Sequence, residues 1–488
     1  MDFDQALAEF LATHPDYDHA AVEQLRAREY GRLDTGGHVY LDYTGGGLHA
    51  ASQLRKHFEM LETEVAGNPH SHNPTSAAMT ERVERARAAV LGYFRADPEE
   101  YLAIFTPNAS GALKLVGESY PFAPGSRLLL SFDNHNSVNG IREFARARGA
   151  ELRHAPILAD DLRLDAEALR SELAAPAADD PRRLFAYSAQ SNFSGVQHPL
   201  DWIAEARDAG WDVLLDAAAF VPTNRLDLSR HRPDFAVVSF YKMFGYPTGL
   251  GCLLARREAV AALRRPWFAG GTITIASVQG DGYFHAEGEA AFEDGTVNYL
   301  GIPALETGLR HIENIGIETI HHRVMALTDW LLARLAELRH SNGQAMIEIL
   351  GPPDTRARGG TISFSLLDPR GHAFDERMVE SLAAENRISL RTGCFCNPGA
   401  GEVAHHLSAE EMHAFFKKGG RITFERLRVT VREQYCKSIA SIRISAGIAS
   451  TFSDVFRFIA FLRTFRDRPA ADVGCKKVSD DPTRRDTT

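Results

Sequence analysis

The feature that most constrains this chain is an alternation of short apolar runs with helix-like stretches between about residues 100 and 255. The runs are YLAIF at 101–105, RLLLSF at 127–132, LFAYSA at 184–189, WDVLLDAAAF at 211–220, FAVVSF at 235–240 and GLGCLLA at 249–255. Continuous apolar runs of this kind read as strands buried on both faces. Segments between them, such as PLDWIAEARDAG, are amphipathic and end in Gly, as helices tend to. The spacing predicts a βαβ series, hence an α/β fold with a large, mainly parallel sheet domain. After about residue 303 the pattern changes to long helices, of which HHRVMALTDWLLARLAELRH is the clearest, followed by strand-like TISFSLL and SIRIS. That mixture predicts a smaller α+β domain.

Composition enters as a set of exclusions. The chain has 488 residues, which allows two or three domains, and its 44% hydrophobic and 24% charged content is that of a globular protein. With 54 Lys+Arg against 64 Asp+Glu the formal charge is −10, so nucleic acid is not an expected partner. No apolar run approaches the ~20 residues of a membrane span, so no membrane partner is expected. The start, MDFDQALAEFLATHPDYDHA, has acidic residues where a signal peptide has basic ones. It reads as part of the fold, and the cytoplasm is the expected location. The expected boundaries are a helical segment at 1–40, the large domain at 41–302, the small one at 303–465 and a disordered tail at 466–488.

Three places carry chemistry. In VVSFYKMFGYPTGLG, Lys242 follows a buried-strand pattern and precedes a Gly/Pro turn. Burial lowers a lysine pKa, and a neutral amine at a strand's end can form a Schiff base; taken alone, though, such a lysine reads as a solvated loop residue. Asp216 ends the run LLDAAAF, at the strand end where open α/β sheets build their sites. A carboxylate there can hold a pyridinium nitrogen protonated and make the ring an electron sink, or it can simply cap a helix. TPNASGAL, from Thr106 to Leu113, places small and polar residues at a helix start, where free N–H groups can hold a phosphate or be plainly capped.

With these residues in view the chain resembles the class V, fold-type I pyridoxal-phosphate enzymes, the NifS-like cysteine desulfurases among them. Within that family it is most similar to the N-terminal, desulfurase-like domain of molybdenum cofactor sulfurases. The resemblance runs from YLDYTGGG at Tyr40 to SIRISAG at Ser441 through GNPHSHNP, TPNASGALKL, SNFSG, LLDAAAF, SFYKMFGYPTGLG, FEDGT and RTGCFCNPGA. It implies a fold-type I transferase that binds pyridoxal 5'-phosphate. Lys242 matches the lysine that anchors the cofactor covalently and Asp216 the partner of its ring nitrogen. Asn192 of SNFSG resembles the residue that bonds the ring's phenolic oxygen, and His135 of SFDNHNSV the one that stacks on the ring. Asn108, Ala109 and Ser110 match the phosphate-holding turn, with Ser239 as a second phosphate ligand. Thr296 of FEDGT resembles a threonine that reaches the neighbouring subunit's phosphate, which implies a homodimer. Arg443 of SIRIS matches the clamp on a substrate α-carboxylate, which suits a planar, bidentate guanidinium. Two positions depart from the common desulfurase pattern. Ala219 stands for a glutamine and Tyr241 for a histidine, as in the sulfurase-like branch.

Five cysteines cannot form a dense disulfide framework, and Cys252, Cys436 and Cys475 are isolated. Cys394 and Cys396 share RTGCFCNPGA, a C-x-C pair too short and too lonely for a zinc site, so no metal is expected. A disulfide across two residues is strained, which leaves nucleophilic chemistry or an inert buried thiol. Nearby Arg391 is the expected source of positive charge favouring thiolate and an expected substrate-binding residue. The resemblance selects Cys396 as the sulfur-attacking residue, with Cys394 auxiliary. Gly401 stands where plant and animal sulfurases often carry a further cysteine. The implied activity takes sulfur from L-cysteine as an enzyme persulfide and releases L-alanine, with a sulfur-acceptor protein downstream. The second domain of complete sulfurases is not expected here, because the chain ends soon after SIRIS. Another class V reaction that leaves Cys396 unused, a C–S lyase, epimerase or aminotransferase, is the alternative.

Overall fold

The computed structural model describes residues 2–69, 71–176, 182–417, 423–435 and 437–470. A seven-stranded sheet forms its centre, in the order 101–106, 251–256, 235–239, 212–216, 183–188, 127–131, 151–155. Only Gly251–Arg256 runs against the others. Tyr101–Thr106 and Phe235–Ser239 are buried at every position, because helices cover both faces. Side chains alternate between the two cores: Tyr101, Ala103 and Phe105 enter one, Leu102 and Ile104 the other. Each fully buried side chain of this size contributes about 2 kcal/mol.

The common strand direction brings the carboxyl ends Thr106, Ser131, Ser188, Asp216 and Ser239 to one edge. Gly251 pairs opposite both Thr106 and Ser239 there. A Cβ on Gly251 would lie 2.5 Å from the Asn108 carbonyl carbon, so only glycine lets the turn after Thr106 close over the sheet edge.

A second, four-stranded antiparallel sheet follows in the order 347–349, 361–366, 441–445, 391–393. The long helix Ile317–Glu337 and the helix Phe452–Arg463 pack beside it. The N-terminal helices Phe3–Thr13 and His19–Tyr30 dock on this unit. Phe10 stacks on Phe452 at 4.7 Å between ring centroids, and buried Arg26 donates to Asp454 at 2.9 Å.

Two expected boundaries shift. Val39–Tyr40 pairs in parallel with Ile388–Ser389 and Asp42 bridges Ser445, so the expected start of the large domain at residue 41 falls inside a segment bonded to the smaller unit. Backbone pairing decides this, and composition does not register it. At the other end, Asp467 accepts from Ser341 N at 2.8 Å and Ala470 N donates to Asp368 at 3.1 Å. The first residues of the expected tail therefore dock, and the rest of it, from 471, lies outside the described residues, as do Cys436 and Cys475. Among the described residues no helix is long and apolar enough to cross a membrane.

Candidate active site

The strand ends converge on one cleft of about 100 Å³. Its lining includes Asn108, Ala109, Ser110, His135, Asn192, Asp216, Ser239 and Lys242, eight residues spread over more than a hundred positions of the sequence. Lys242 is carried by the short helix Phe240–Phe244 directly after Phe235–Ser239. Burial lowers its pKa; the charge of Asp216 opposes that shift, while Arg443 and Arg391 reinforce it. The amine is thus biased toward its neutral, nucleophilic form. Burial likewise lowers His135, against the pull of Asp216. Its Nδ1 accepts from Ser137 N at 3.1 Å, which fixes the ring's orientation.

One end of the cleft is built to receive an anion. Asn108 caps the helix Ala109–Ser119, accepting from Gly111 N at 2.9 Å. The N–H groups of Ala109 and Ser110 have no acceptor among the described residues. The Ser239 hydroxyl is buried with no hydrogen bond of ordinary geometry, close to the Tyr241 hydroxyl. Such orphaned donors at a helix start suit a phosphate.

The cysteine loop is bonded to the cleft wall through Asn192, while Cys396, Arg391 and Arg443 are not among the cleft's lining residues. Phe395 and Cys396 are consecutive left-handed residues, with φ of 53° and 55°, a conformation that costs a non-glycine residue about 1 kcal/mol or more. Cross-domain hydrogen bonds hold it. Asn192 Nδ2 donates to Phe395 O at 2.7 Å, Asn136 N to Cys396 O at 2.7 Å, and buried Asn397 donates to Asp133 O at 2.6 Å and to Asn192 Oδ1 at 3.0 Å. Asn192, expected to face a ring oxygen, thus also positions the loop. The Cys396 thiol is exposed, whereas burial pushes the Cys394 thiol up.

The two arginines differ in how they are paired. Arg391 donates three hydrogen bonds to the Asp42 carboxylate, at 2.6 to 3.2 Å, so its charge is already paired. Arg443 is the cation next to the loop. It lies over the Phe395 ring at 4.6 Å, donates to Asn192 O at 2.9 Å and to Asp42 at 3.1 Å, and feels the charge of Cys396. Burial brings its pKa down to about 10. Thr296 is exposed, on the segment after Gly288–Phe292, and is absent from the cleft lining. Both departures from the desulfurase pattern, Ala219 and Tyr241, do line it. Sequence reasoning missed Asp42, Gln190, Ser137 and Asn397. Asp42 lay within the quoted YLDYTGGG and Asn397 within RTGCFCNPGA, but neither spacing says what those side chains meet.

The aminotransferase class-V family model matches residues 39–458. The chain belongs to the class-V aminotransferase family. Among curated proteins it is 37% identical to the molybdenum cofactor sulfurase of Bos taurus, over 91% of this chain and 52% of that one. It is 36% identical to the human protein of that name, over 93% and 52% respectively. The chain thus spans about half the length of the curated relatives it matches. Among solved structures, a cysteine desulfurase from Thermococcus onnurineus NA1 superposes with a TM-score of 0.75 at 22% identity, covering 91% of this chain and 97% of that chain.

Membership of the class-V aminotransferases implies pyridoxal phosphate as cofactor. The residues present fit it. The free N–H groups of Ala109 and Ser110 and the orphaned Ser239 hydroxyl match its phosphate, Asp216 its basic ring nitrogen, and the weakly basic Lys242 its carbonyl carbon. Asp216 and Ser239 end paired strands, and Ala109, Ser110 and Lys242 stand on helices that begin directly after or close behind strand ends.

Proposed function

We propose that this class-V aminotransferase is a cysteine desulfurase that moves sulfur from L-cysteine onto Cys396 and releases L-alanine. The observation that carries this reading is the exposed Cys396 thiol, on a strained loop bonded across the domain boundary to Asn192 and Asn136 beside buried Arg443. An inert thiol needs none of that apparatus.

The bound cofactor supplies an electron sink. Arg443 holds the substrate carboxylate. The neutral amine of Lys242, favoured by burial, takes the α-proton. Cys396 thiolate then attacks the substrate sulfur. The new S–S bond forms on the enzyme as the substrate Cβ–S bond breaks, and the carbon product is protonated to alanine. Atoms balance as cysteine plus enzyme thiol giving alanine plus enzyme persulfide. Under this reading an acceptor protein collects the sulfur in the cytoplasm. The working unit is a homodimer in which exposed Thr296 serves the partner's phosphate site.

The test is mass spectrometry of the Cys396 peptide after incubation with L-cysteine, with Cys396→Ala as control. One added sulfur atom is expected, with equimolar alanine. Alanine formed at an undiminished rate by Cys396→Ala would point instead to a reaction that leaves the thiol unused.

A further inference from the structure

Asp42 has no role in the chemistry above, yet it stands between the two arginines of the site. It is 7% exposed and its carboxylate accepts only from Arg391 and Arg443 among the described residues. The surroundings are shaped for it. A Cβ on Gly45 would lie 2.6 Å from both Asp42 oxygens and 2.7 Å from Arg391 Nη2, so this glycine of YLDYTGGG lets the pair sit against the backbone. On Arg443, Nη1 is taken by Asn192 O and Nη2 by Asp42, while Nε is buried without a partner. Arg443 therefore keeps one buried donor unpaired, whereas Arg391 spends Nε and Nη2 on Asp42 with its side chain half-exposed.

We infer that Asp42 sets the specificity of the carboxylate site, by occupying Arg391 so that a substrate meets one available arginine and one fixed negative charge. The inference rests on Arg443 being the carboxylate clamp of the proposed function. Two unpaired arginines would attract a dianionic amino acid at least as well as cysteine. With Asp42 between them, a second carboxylate finds Arg391 already paired and faces the like charge of buried Asp42, which is costly. Asp42 is thus a specificity-determining and positioning residue, and it need not touch the reacting atoms.

The test is calorimetric binding of two unreactive probes, L-alanine and L-aspartate, to the cofactor-loaded protein, which requires no turnover. Wild type is expected to prefer alanine. Asp42→Asn keeps the shape and an acceptor oxygen but removes the charge. It is expected to tighten aspartate by about ten- to hundredfold and to change alanine by less than about threefold. An unchanged aspartate-to-alanine ratio in Asp42→Asn overturns the inference. Should that variant fold poorly, Arg391→Gln gives an independent arm. It leaves Asp42 free to bond Arg443 alone, so alanine binding is expected to weaken about tenfold with no gain for aspartate; unchanged alanine binding overturns the inference. If wild type binds neither probe, the clamp assignment of Arg443 itself fails. That outcome is distinguishable from failure of the Asp42 inference alone, in which alanine still binds.

Discussion

Lys242 stands at the end of a strand buried at every position, whereas Cys396 stands on a loop with two successive left-handed residues and an exposed thiol. The floor of the cleft is held by main-chain pairing within one sheet. The lip is held by side-chain amides reaching across the domain boundary, Asn192 and Asn397 above all. The difference matches the two tasks. Under the proposed function, a cofactor needs donors that do not move, while a thiol that carries sulfur must serve the substrate and then an acceptor. The sheet supplies buried, paired backbone, and the loop carries two consecutive left-handed residues.

Substitutions can break this division. The largest effect is expected for Lys242→Ala, with turnover falling at least about a thousandfold and the visible absorption of the anchored cofactor lost. Persistence of that absorption would show that another group anchors the cofactor. Next is Asn397→Ala, which removes the cap on Pro398–Ala404 and two buried donor contacts. Stability to urea is expected to fall by about 2 to 3 kcal/mol, and persulfide formation to slow about tenfold while the cofactor spectrum is unchanged. A changed spectrum would mean that floor and lip are not independent.

The smallest effect concerns acid. His405, just after the cysteine loop's helix, bonds Ser441 at 2.9 Å and is brought by burial from 6.5 to about 4. The unfolded chain therefore binds a proton that the folded chain resists. Stability should drop as pH falls from about 6.5 toward about 4, and be regained above that window. His405→Asn is expected to flatten this part of the stability profile, measured by denaturant midpoints across pH; an identical slope would place the acid sensitivity elsewhere.

The floor was far more legible in the sequence than the lip. Lys242, Asp216, Ser239 and the Asn108 turn each follow an apolar run, and strand ends of a parallel sheet share an edge by necessity. Asn192 was assigned to a ring oxygen and its bonds to Phe395 and Asn397 went unseen, because they join residues about 200 positions apart. Arg391 was assigned to the thiol by proximity in sequence, but Asp42, 349 positions away, takes its charge. Thr296 has no place in the cleft of a single chain.

By itself the sequence determined the α/β architecture and the order of the strands along the chain, and it singled out Lys242 and Cys396 as candidates. Apolar periodicity and local motifs act over a few residues and survive without knowledge of neighbours. The tertiary structure alone decided which arginine keeps a free edge, which amides carry the cysteine loop and where the N-terminal helices dock. Those outcomes depend on charges and hydrogen-bonding groups brought within about 3 Å by folding, a range at which sequence separation carries no information.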